Sequence, residues 1–243
     1  MKKPSIGTWI SLPQEAIAEI FANSGYEWIV VDLEHSAITI NQAEKLIRVI
    51  DLAGSQPLVR MSGHSSAQIK RVLDAGASGI IAPMVNSKKQ GEAIIESCFY
   101  PPSGSRGMGL ARAQGYGRKK IRDDYINEKC KKIKIFFQIE SKNALDNIDD
   151  IFSLKIDGYF IGPYDLSASL GSPGNFNSKE FRSAEDKIMN AANKRNLIKG
   201  IHLVEPEAEE IKRLAKRGYN YIAYSVDIRM IENASNQPFT GQN

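Results

Sequence analysis

Short apolar runs rich in β-branched residues recur along the chain at residues 6–10, 28–33, 57–61, 79–84, 133–139, 158–161, 200–204 and 221–226, each bounded by Gly, Pro or charge. They read as continuous rather than alternating, which marks strands buried on both faces, as in a parallel sheet covered by helices. Between them lie segments of helical period: Ala16, Ile17, Ile20 and Phe21, then Ala43, Leu46, Ile47 and Ile50, then Ile69, Val72 and Leu73, then Ile211, Leu214 and Ala215. A Gly follows three of the helical segments, at Gly25, Gly76 and Gly218, and predicts left-handed C-caps. Strand then helix, eight times in 243 residues, predicts a closed (β/α)8 TIM barrel rather than an open doubly wound sheet, one α/β domain over 1–243. Residues 99–123, too rich in Gly and Arg for a helix, are expected to form one long irregular loop. The polar tail at 233–243 is expected to fray.

Composition narrows the function classes. Hydrophobic residues at 42% and charged residues at 25% describe an ordinary folded chain. The net charge of +4 is spread thinly, and the longest basic cluster, 118–120, runs straight into Asp123 and Asp124, so no nucleic-acid partner is expected. Cys98 and Cys130 lack metal or redox spacing and read as free thiols. With neither a secretory leader nor a membrane-length apolar run, the chain is expected to be cytoplasmic, with no membrane partner. Gly104, Gly107 and Gly109 do not form a dinucleotide fingerprint.

In such a barrel the active site forms where the strands end. The second strand runs into Asp32-Leu-Glu34-His35, the third ends in Arg60, the fifth in Gln138-Ile-Glu140, and the sixth leads to Gly162-Pro-Tyr164-Asp165. Lys132, Lys134 and Lys199 precede their strands' apolar runs, at the opposite end, which argues against a Schiff-base lysine. Glu140 and Asp165 read either as helix N-terminal acids, with Asp165 capping the next helix, or as a pair of carboxylate ligands for a divalent ion completed by water and a chelating substrate. His35 reads as a structural histidine or as a base whose tautomer Asp32 and Glu34 fix. Arg60 could pair with Glu34 or Glu140, or stabilise an enolate. His64 is expected in a solvated loop, and His202 just past the seventh strand. Arg106 and Arg112 could clamp an anion or brace a subunit contact.

Taken in order, Asp32-Leu-Glu-His35, Val59-Arg60, Ala82-Pro-Met-Val85, Tyr100-Pro-Pro-Ser-Gly-Ser-Arg-Gly-Met-Gly109, Gln138-Ile-Glu140 and Gly162-Pro-Tyr-Asp-Leu-Ser-Ala-Ser-Leu-Gly171 resemble the HpcH/HpaI family of metal-dependent 2-oxo-acid aldolases. The resemblance implies reversible cleavage of a 4-hydroxy-2-oxo acid to pyruvate and an aldehyde. It implies Glu140 and Asp165 on a divalent ion (Mg2+, Mn2+ or Co2+), and Arg60 on the pyruvyl keto oxygen. His35 would belong to the acid–base machinery, and Asp74 would support it, from its own or a neighbouring subunit. Substrate contacts are implied for Gln138, Asp165 and the backbone N–H of Tyr164, where relatives carry a smaller residue or Asn. A homo-oligomer, trimer or hexamer, is implied as well. Two other readings stay open: a lyase of the same barrel acting on a 3-hydroxy-acyl thioester or a phosphoenolpyruvate-type substrate, and a non-catalytic binding barrel. The missing Gly-rich phosphate loop after strands seven and eight speaks against phosphate, and the retained acid, base and arginine speak against a binding barrel.

Overall fold

The computed structural model describes residues 3–239. Its eight strands are β1 (Ser5–Ile10), β2 (Trp28–Asp32), β3 (Gln56–Arg60), β4 (Gly79–Ala82), β5 (Lys134–Ile139), β6 (Gly158–Ile161), β7 (Ile198–Leu203) and β8 (Tyr221–Val226). They close into one parallel barrel in chain order, β8 pairing back onto β1. The helices are α1 (Glu15–Asn23), α2 (Ile40–Leu52), α3 (Ser66–Asp74), α4 (Lys88–Cys98), α5 (Lys119–Asp124), α6 (Lys142–Asp146), α7 (Ile148–Ile151), α8 (Pro163–Ser169), α9 (Lys179–Lys194), α10 (Ala208–Lys216) and α11 (Asp227–Asn236).

Helix starts are written into the sequence. Ser65, Ser87, Ser141 and Ser178 each accept a backbone N–H three residues on, and Thr39 with Gln42 forms a full capping box at α2. The predicted C-cap glycines Gly25, Gly76 and Gly218 have φ of +96°, +105° and +102°. α2 then lays Ala43, Leu46, Ile47 and Ile50 on the outer face of the barrel.

Strand alternation sorts the remaining side chains. Trp9, Trp28, Val30, Leu58, Phe136, Phe160 and Tyr221 point inward and form a separate aromatic core. Trp28 stacks on Tyr221 at 4.1 Å, and it fits only because Gly7 has no side chain, since a Cβ there would lie 2.1 Å from the indole. Continuing the same alternation to the strand ends brings Asp32, Arg60, Gln138 and His202 to the inside of one rim.

Several expectations need correction. The run 79–84 ends as a strand at Ala82, because Pro83 has no N–H to give the ladder and Met84 turns the chain at φ +50°. The expected loop at 99–123 becomes helical from Lys119, and a π-turn (Tyr125–Lys129) and a 3-10 turn (Cys130–Lys132) follow without a break. Of the expected tail, residues 233–236 complete α11 and Gln237–Phe239 forms a 3-10 turn, while 240–243 lie outside the described residues. Both cysteines are buried free thiols. Among the described residues no helix is long and apolar enough to cross a membrane.

Candidate active site

Asp32 and Arg60 are register partners on adjacent strands. Both carboxylate oxygens engage the guanidinium, at 2.9 Å from Nε and 2.6 Å from Nη2, while Glu34 approaches Nη1 at 3.3 Å. Asp32 Oδ1 also accepts the backbone N–H groups of Glu34 and His35, which folds the strand end into a turn. Burial pushes the Asp32 carboxyl up, but the Arg60 hydrogen bonds and charge, with those two N–H groups, outweigh it and hold it below the usual carboxylate range. Burial likewise disfavours the Arg60 cation, and Asp32, Glu34 and Glu140 together more than restore it. Arg60 is thus a fixed positive charge, its guanidinium 5.5 Å from the Trp9 ring centre.

Glu140, just past β5, is buried. Its Oε1 accepts the Met84 N–H at 2.6 Å and its Oε2 accepts the Gln138 amide. Burial raises its pKa, the two donors oppose that, and the nearby Asp165 carboxylate adds to the rise. Asp165 is exposed in the first turn of α8. It does not cap that helix: Gly162 holds the cap position, and Pro163 opens the helix where its missing N–H costs nothing. Burial also raises Glu34, Arg60 opposes it, and Glu140 adds to it. Asp32, Glu34 and Glu140 thus act on one guanidinium at the rim, and Asp165 acts on Glu140. Glu140 is crowded by Asp165 and itself crowds Glu34, and an excess of hard oxygen ligands beside a cavity fits a divalent cation. Among the described residues no three or more His, Cys, Asp or Glu are placed to hold one ion together, so water or ligand oxygens would complete a site built on Glu140 and Asp165.

Arg60 and Asp165 border a cavity of about 360 Å3 that Trp9, His35, Gln138, Phe160, Tyr164 and His202 also line. A larger hollow, about 690 Å3, lies at the opposite end of the barrel, where Asp51 is the one acid among Arg112, Arg118, Lys129, Lys132 and Lys134. It lacks a carboxylate pair and lies away from the strand ends that carry barrel chemistry.

His35 stands at the mouth with its side chain 65% exposed. Its Nε2 is 3.8 Å from Glu34, and Asp32 reaches only its backbone, so the expected fixing of its tautomer by Asp32 is not seen. Asp74 is not at this rim. It ends α3 at the far side of the barrel, where its Oδ1 accepts Arg106 at 2.5 Å and Gln114 at 3.1 Å. Arg106 is buried against Tyr100 and Tyr125, and Arg112 binds the Ala75 carbonyl and Asp51, so both brace the chain's own loop. His64 is not simply solvated, since Nε2 lies 2.6 Å from the Pro83 carbonyl. His202 lies within β7, stacked on Trp9. Trp9 and Met84 carry site geometry that the sequence reading missed. Trp9 is inward by alternation from Gly7, but no sequence cue gave Met84 its positive φ.

Residues 5–234 match the family model described as HpcH/HpaI aldolase/citrate lyase. The chain is 37% identical over 232 residues to 2-keto-3-deoxy-L-rhamnonate aldolase of Salmonella gallinarum, covering 94% of this chain and 85% of that one. In solved structures it is similar to an HpcH/HpaI aldolase/citrate lyase family protein of Burkholderia cenocepacia (TM-score 0.90, 27% identity, 98% and 93% of the two chains). It is similar too to an HpcH/HpaI aldolase of Desulfitobacterium hafniense (TM-score 0.87, 28% identity, 98% and 92%).

Proposed function

The chain belongs to the HpcH/HpaI aldolase/citrate lyase family, and from that premise we propose how its rim works as a class II, pyruvate-dependent aldolase. The reaction is reversible cleavage of a 4-hydroxy-2-oxo acid to pyruvate and an aldehyde. The observation that carries the assignment of residues is the buried Glu140 crowded by Asp165 beside the fixed cation of Arg60.

A divalent ion held by Glu140 and Asp165 would supply a Lewis acid for the carboxylate and keto oxygens of the substrate, and Mg2+, Mn2+ and Co2+ all suit such an oxygen donor set. Arg60, clamped by Asp32 and Glu34, donates N–H groups toward the keto oxygen and offsets the negative charge that grows there as the C3–C4 bond breaks. The electron pair of that bond passes into the pyruvate enolate, which then takes a proton at C3 from water, balancing the one lost from the 4-hydroxyl. His35 accepts the 4-hydroxyl proton, directly or through water, so that C4 leaves as the aldehyde. The Tyr164 backbone N–H meets the substrate carboxylate, and Gln138 lines the cavity while holding Glu140 by hydrogen bond.

Asp74 supports a histidine only across a subunit boundary, because within one chain it is committed to Arg106 and Gln114. The exposed Met108 and Leu110, on the loop tied to Asp74 through the Ala113 N–H, support a covering neighbour and hence a homo-oligomer, trimer or hexamer. The setting is the cytoplasm.

The test is exchange of pyruvate methyl protons with D2O by NMR, with added Mg2+ or Mn2+ and then with EDTA. Metal-dependent exchange is expected; a folded sample that exchanges nothing with any of these ions would overturn the reading.

A further inference from the structure

A carboxylate that holds a metal ion must present its oxygens in one orientation, and the groups that fix that orientation lie behind it. Glu140 has two such groups: the Gln138 amide on Oε2 and the Met84 N–H, 2.6 Å from Oε1. The Met84 N–H belongs to the peptide unit whose carbonyl is that of Pro83, and this carbonyl oxygen lies 2.6 Å from His64 Nε2. A carbonyl oxygen only accepts, so Nε2 carries the hydrogen. In a planar trans peptide the C=O and N–H point in opposite directions, so one amide is held at both ends, by His64 at its oxygen and by Glu140 at its nitrogen. A donor on the oxygen also polarises the amide and strengthens its N–H.

That amide needs holding. Its tilt is set by ψ of Pro83 and φ of Met84, and Met84 sits at φ +50°, a left-handed conformation that a residue other than glycine keeps only where its surroundings impose it. The Met84 side chain is exposed, so its own packing does little to impose it. His64 is placed to do so. It lies on the loop that follows Arg60, and Gln68 ties both ends of that loop: Oε1 accepts the Ser62 N–H, while its backbone N–H donates to Ser65 Oγ, the cap of α3. His64 is not among the residues lining the cavity of Arg60 and Asp165, so it has no place against the substrate. Resting on the aldolase reading, we propose that His64 is a positioning residue for the metal site. Through the Pro83–Met84 peptide it fixes the carboxylate of Glu140 without touching it.

The experiment is Mn2+ titration followed by water-proton relaxation in the wild type, His64→Ala and His64→Gln, with the metal alone as probe. Both substitutions change a half-buried loop side chain and leave the barrel core intact. His64→Ala removes the donor and should weaken Mn2+ binding about tenfold, the usual effect of losing a group that orients a metal ligand. His64→Gln, whose side-chain amide can donate to the same carbonyl, should stay within about threefold of wild type. A His64→Ala affinity within about twofold of wild type would overturn the proposal. So would an equal loss in both variants, which would make the fit of the loop, rather than the hydrogen bond, responsible. Pyruvate proton exchange by the wild type separates the two levels. A wild type that neither binds Mn2+ nor exchanges defeats the aldolase reading and this proposal together, whereas metal-dependent exchange with unmoved Mn2+ affinity in His64→Ala defeats this proposal alone.

Discussion

Asp32 spends both oxygens on Arg60, which makes the arginine a rigid charge but leaves His35 without a strong partner in its own chain. The Asp32-Leu-Glu-His spacing shows that these groups share one strand end. Which of them pair is decided by the Asp32–Arg60 register across β2 and β3, a long-range fact that no local pattern holds. His202 shows the same limit, since the Trp9 ring on which it stacks lies nearly the whole chain away. It also carries a pH signature. Its folded pKa of about 4 lies below the ordinary 6.5, so between those values the unfolded chain binds more protons than the folded one, and stability falls as pH drops from 6.5 toward 4. The loss is at most ~3 kcal/mol, and less where water in the cavity reaches this partly exposed ring. Urea unfolding of wild type and His202→Leu across this range should give a stability difference that shifts with pH in that sense; parallel curves would contradict it.

At the scale of elements, the eight strands were legible because runs buried on both faces leave little alternative, and the helix starts and ends were marked by Ser, Thr and Gly. The helical stretch from Lys119 to Lys132 was not legible, since its lysines and short apolar segments give no clear period, and packing of Tyr125 and Cys130 fixes it instead. The joint between β6 and α8 makes a sharper point. Gly162 sits against Glu140: an added Cβ would lie 2.5 Å from Oε2 and 2.9 Å from the glutamate's own Cβ. Close approach of the chain to the carboxylate, rather than an unusual φ, requires glycine there. Gly162→Ala should displace Glu140 and weaken metal binding by about 10–100-fold. Mn2+ titration followed by water-proton relaxation checks this directly, and an unchanged affinity would remove Glu140 from the metal site.

On the scale of the whole molecule, the barrel places His35 at the mouth and Asp74 at the far end of α3, so a single chain cannot bring the two together. Assembly with closed symmetry can, because each subunit would lend Asp74 to one neighbour and receive it from another. Two variants test this without a structure of the complex: Asp74→Asn, which keeps its hydrogen-bonding shape toward Arg106 and Gln114, and His35→Ala. Each alone should be severely impaired in aldol cleavage. Unfolded together at equal amounts and refolded, they would form mixed oligomers in which about a quarter of the sites regain a histidine and an aspartate from different chains. Recovery to about that fraction of wild-type activity is the expected outcome. A mixture no better than the sum of its parts would return Asp74 to its visible role, a buried anchor for Arg106.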